Sequence, residues 1–110
     1  MIRKYNKLVR DRIPEIIVKE GKEIPWLRAL EKREFFREAK KKTLEEAQEL
    51  LAARSRKAVL NELVDIQELI DALLAEFGMT KLEFWTLQHK KNKERGGFKR
   101  KTFLEGTEKI

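Results

Sequence analysis

The run Val59, Leu63, Ile66, Ile70, Leu73 and Phe77 most constrains what this chain can fold into. Its steps of four and three draw one continuous apolar stripe down a helix from about Lys57 to Phe77. One short neighbour does not cover a stripe of that length. It requires a long partner helix, and the stretch from about Glu31 to about Ala53 supplies one. A second copy of the chain is expected to cover the rest. The connection near Arg54 to Arg56 holds no Gly or Pro to mark a turn. Folding back there sets the two helices antiparallel. The expected fold class is therefore all-α: an antiparallel helical bundle completed by oligomerisation, with short extended segments near the N-terminal third and at the C-terminus.

The remaining segments fit around that pair. Met1 to Arg12 reads as a mixed basic and apolar lead-in. Pro14 suits the first turn of a short helix, with Asp11 as its cap and Gly21 as its stop. Glu23 to Leu30, with Pro25 and Trp26, reads as extended chain or loop. Gly78 closes the striped helix, and Thr80 can cap another through Leu82, Trp85 and Leu87 to about Glu94, stopped by Gly96-Gly97. Phe84 and Trp85 are read as core aromatics, and His89 as a surface residue near the helix end. Phe98 to Leu104 alternates loosely, as a short strand or an extended arm does.

A chain of 110 residues is expected to form a single domain spanning 1-110. It has no cysteine and one histidine, which removes disulfides, thiolate chemistry and an ordinary zinc site. Nothing in it resembles a signal peptide, and no apolar run approaches the roughly 18 residues that cross a bilayer. The expected location is cytoplasmic, with no membrane partner.

Acidic side chains on the two long helices are the candidate chemistry. Glu46 and Glu49 are three residues apart, and so are Glu62 and Asp65 on the next helix. Residues so spaced share a helical face. By helical-wheel arithmetic Glu62 lies about 60° and Asp65 about 120° from the centre of the stripe, flanking the seam rather than opposing it. If the helices pair antiparallel, four carboxylates converge and need a cation between them. Hard oxygen donors in that number suit Mg²⁺, with Mn²⁺ as a substitute. Surface ion pairs account for part of the pattern, because Lys41 and Lys42 stand four residues before Glu45 and Glu46. Glu49 has no basic residue at helical spacing on its own helix.

Glu45-Glu46-Ala47-Gln48-Glu49, then twelve residues, then Glu62-Leu63-Val64-Asp65, resembles the E-E-x-x-E…E-x-x-D signature of the all-α nucleoside triphosphate pyrophosphohydrolases. That superfamily includes the MazG-like enzymes, the dimeric dUTP pyrophosphatases and phosphoribosyl-ATP pyrophosphohydrolase. The segment Tyr5-Asn6-Lys7-Leu8-Val9-Arg10-Asp11-Arg12-Ile13-Pro14-Glu15-Ile16-Ile17 resembles the opening of a small single-domain subgroup. Lys93-Glu94-Arg95-Gly96-Gly97-Phe98 resembles the segment that closes that subgroup's core.

The resemblance implies hydrolysis of a nucleoside triphosphate between its α- and β-phosphates, to a monophosphate and pyrophosphate, as nucleotide-pool house-cleaning. It implies Glu46, Glu49, Glu62 and Asp65 as metal ligands. It gives Glu45, Glu46 and Glu49 a catalytic part, with Glu45 binding a further ion or positioning water. It also implies a homodimer or homotetramer whose site draws on two subunits. Phosphoribosyl-ATP is the alternative substrate.

Net charge is +7, and seven basic residues against one acid lie between Lys90 and Lys101. Such a segment suits an anionic partner. Lys90, Lys93 and Arg95 are candidate ligands of the β- and γ-phosphates, with Lys7 and Arg10 secondary to them. Equally, the segment reads as a solvated helix end with a glycine stop. A non-catalytic helical module that binds nucleic acid through it is the competing function, and it is less favoured because it leaves the paired acids unused.

Overall fold

The computed structural model describes residues 3–109. They hold four helices: α1 (Ile13–Lys19), α2 (Lys32–Ala52), α3 (Arg56–Glu76) and α4 (Lys81–Arg95). No strand occurs among the described residues. The fold class is all-α, and the strand considered for Phe98 to Leu104 is not formed. That segment instead makes a turn at Lys99 and Arg100 and continues without regular structure. No helix among the described residues is long and apolar enough to cross a membrane.

The long helices pair antiparallel. Phe36, near the start of α2, packs on Phe77 at the end of α3 with ring centroids 4.9 Å apart. At the other end only Ala53, Arg54 and Ser55 join the two. Ser55 makes this connection without glycine or proline: its Oγ accepts the Ala58 N–H at 3.0 Å and satisfies one of the free amides that open α3. Gly78, at φ +68°, closes α3, where the N–H groups of Gly78 and Met79 donate to the carbonyls of Ala75 and Leu74 at 3.0 Å each. This is a paired C-terminal motif that needs a left-handed residue. Thr80 then opens α4 through a reciprocal cap with Glu83.

The short α1 differs from the sequence expectation in its cap. Arg12 rather than Asp11 precedes the helix, and no side chain caps it. The Ile13 N–H already donates to the Arg10 carbonyl at 3.0 Å, so the turn begins earlier and leaves Asp11 a residue too far back. The loop before α2 is tied down by Arg28, whose guanidinium holds Glu34 with two hydrogen bonds of 3.2 and 2.8 Å.

The chain by itself buries little. Ala39 and Leu74 are its buried apolar residues, and the only charged side chain to join them among the described residues is Glu46. Of the stripe, Val59, Ile66, Ile70 and Leu73 are half-buried, while Leu63 and Phe77 stay exposed. Phe84 and Trp85 are not covered either, so the expectation of core aromatics is not met. α4 touches only α3. The accessible surface of 10942 Å² compares with about 6,400 Å² for a compact monomer of this mass. The radius of gyration, 18.8 Å, compares with about 13 Å.

Candidate metal centre

Glu46 and Glu49 project from α2 on one face, as their spacing requires, and antiparallel packing brings Glu62 of α3 against them. One carboxylate oxygen from each of the three lies within 4.8 Å of the others. In an octahedral Mg²⁺ shell neighbouring oxygens are about 3 Å apart and opposite ones about 4.2 Å, so the three side chains would have to draw together around an ion.

Burial gives the cluster its electrostatic character. Glu46 is 6% exposed, and its Oε2 has no hydrogen-bond partner; the same holds for the buried Oε2 of Glu62. An orphaned carboxylate oxygen is costly in a protein interior. Burial pushes the Glu46 carboxyl up to about 8. The nearby Glu62 and Glu49 carboxyls favour its protonated form further, and the charges of Glu49 and Asp65 act in the same direction. A proton is one remedy for this crowding, and a divalent cation is the stronger one.

The donor set fits a hard cation: it is all carboxylate oxygen, two of the oxygens are buried without partners, and Glu49 at the exposed edge leaves a way in from solvent.

The other expected site residues occupy different surroundings. Asp65 stands outside the trio, where Arg10 Nη2 donates to its Oδ1 at 2.6 Å. Glu45 lies between two ammonium groups, Lys7 and Lys42, each at 3.6 Å. Lys42 also reaches Glu46 at 3.9 Å. Lys41 turns instead to Glu38 at 3.7 Å, so only one of the two ion pairs foreseen on this helix involves the cluster. Lys90, Lys93 and Arg95 lie on the exposed last turns of α4, and none forms an ion pair among the described residues. The Arg10–Asp65 pairing had no signal in the sequence, since its members are remote and on different elements. Lys42 was legible from its helical spacing.

These features define an antiparallel helical pair presenting a partly buried carboxylate trio suited to a hard divalent ion. No family model, curated protein or solved structure matches the chain.

Proposed function

We propose that the chain is a Mg²⁺-dependent nucleoside triphosphate pyrophosphohydrolase of the MazG-like, all-α kind, a single domain that cleaves between the α- and β-phosphates and acts in the cytoplasm. The observation that carries this reading is the buried Glu46 carboxylate, whose Oε2 has no hydrogen-bond partner, facing Glu62 with Glu49 beside it. The signature that the sequence resembles contains each of these acids.

In this reading Glu46, Glu49, Glu62 and Asp65 hold the ion. Bound there, Mg²⁺ neutralises phosphate charge and makes water a better nucleophile. Glu45, at the rim between Lys7 and Lys42, would accept a hydrogen bond from the attacking water. Lys90, Lys93 and Arg95 are exposed and form no ion pair among the described residues, and they bind the β- and γ-phosphates. With no cysteine and one histidine, the chain has few other nucleophiles to offer.

The homo-oligomer is part of the same proposal. About 4,500 Å² of surface beyond that of a compact monomer supports it, as do the exposed Leu51, Leu63, Val64 and Trp85. A homodimer or homotetramer covers that area and brings a partner's residues toward the acids.

The test is a panel of standard and damaged nucleoside triphosphates, with phosphoribosyl-ATP included, incubated with Mg²⁺ or Mn²⁺. Pyrophosphate is the expected product. Orthophosphate alone, or turnover indifferent to metal, counts against the reading. The exposed cations between Lys90 and Lys101, without ion pairs among the described residues, favour a second reading, a nucleic-acid-binding module without catalysis. It requires affinity that falls steeply with salt and needs no divalent ion.

A further inference from the structure

Asp65 is the one expected metal ligand that does not join the acidic trio, and Arg10 is what holds it. The guanidinium donates to Asp65 Oδ1 at 2.6 Å through Nη2 alone. Three residues earlier on the same arm, Lys7 lies 3.6 Å from Glu45. The N-terminal arm thus lays two cations on the rim of a site whose inner acid, Glu46, is more than nine-tenths buried with an oxygen that has no partner.

We infer, resting on the pyrophosphohydrolase reading, that Arg10 and the divalent ion exchange at Asp65, and that the displaced guanidinium binds the triphosphate. The Arg10 side chain is 53% exposed. The Asp65 side chain is less open, at 28%, but water screens the guanidinium side of the pair, and a divalent ion with its higher charge competes for the carboxylate. Ion and guanidinium repel each other once both are near Asp65. Arg10 then needs a new anion, and the triphosphate drawn to the ion is the one within reach. Four of its five donors are uncommitted to Asp65, and its planar fork suits two phosphate oxygens at once. No bond is made or broken in this exchange.

The experiment measures binding rather than turnover. Free Mn²⁺ is titrated by electron paramagnetic resonance into wild type, Arg10→Gln, Arg10→Lys and Arg12→Gln. Inorganic tripolyphosphate is then titrated calorimetrically into each Mn²⁺-saturated protein. Arg10→Gln is expected to bind Mn²⁺ about threefold tighter or more, having lost the competitor. It should hold tripolyphosphate about tenfold more weakly. Arg10→Lys should fall between it and wild type on both measures. Arg12→Gln makes the same charge change but lies against Glu15, at 2.9 Å, and should match wild type. Unchanged or weaker Mn²⁺ binding by Arg10→Gln overturns the exchange, as does undiminished tripolyphosphate binding, while wild-type Mn²⁺ uptake leaves the metal site standing. If wild type takes up no Mn²⁺, the metal reading falls and the exchange falls with it.

Discussion

Glu46 on α2 and Glu62 on α3 face each other across the helix seam, each with one buried carboxylate oxygen that has no partner. Two acids in that position work against the packing that holds them. In globular proteins such an arrangement persists where a ligand offsets its cost, and this contact links the fold of the chain to its proposed chemistry.

The first prediction concerns pH. The folded-state value for Glu46 is raised to about 8 from an ordinary 4.5. Between those values the folded protein holds a proton that the unfolded chain has released, so stability falls as pH rises through this window and levels off above it. Denaturant unfolding in EDTA from pH 5 to pH 9 measures the slope. Glu46→Gln cannot ionise, and it should lose that fall and become the more stable protein at pH 9. Parallel pH curves for the two proteins contradict the assignment.

Removing an exposed ligand separates chemistry from folding. Glu49 is exposed and makes no ion pair among the described residues, so Glu49→Ala should leave the helical circular dichroism and unfolding midpoint within about 0.5 kcal/mol of wild type. Metal-dependent pyrophosphate release should drop about 100-fold or more. Asp65→Ala should lose activity similarly, although it also frees Arg10. Retention of full activity by Glu49→Ala removes the metal assignment.

Association is tested on the uncovered face of α3. Val64 is 62% exposed and, one turn from Leu60, lines a concave apolar surface with Ala58. Light scattering at micromolar concentration should report a dimer or tetramer for wild type. Val64→Asp places a charge on that face and should shift the equilibrium toward monomer without loss of helix. A wild-type monomer ends the oligomer proposal.

Metal addition should raise stability by mass action. With Mg²⁺ at about 100 times its dissociation constant, the gain is about 2.7 kcal/mol. The melting temperature should rise by several degrees, and EDTA should reverse the rise. An equal rise in Glu49→Ala and Glu62→Ala places the bound ion elsewhere.

Local chemistry made much of the fold readable before any contact was known. The α3 stripe, Gly78 behind it and Thr80 ahead of α4 specify helix faces and ends through hydrogen bonds that span only a few residues. The observed boundaries of α2, α3 and α4 lie within a residue of the expected ones. Asp11 misled because the α1 turn opens with a backbone bond from Ile13 to Arg10, a choice made between near-equal local options. Ser55 was the overlooked signal at the connection between the long helices, since a capping hydroxyl opens a helix without a glycine.

For the candidate site, the i, i+3 spacing by itself determined that Glu46 and Glu49 share one helix face, and that Glu62 and Asp65 share another. Tertiary structure alone decided that Glu46 is buried against Glu62 while Asp65 is held apart by Arg10. Side-chain direction along a helix follows from a fixed rotation per residue. Burial and pairing between helices depend on how two surfaces dock and on where a distant arm comes to rest, and no local hydrogen bond encodes either.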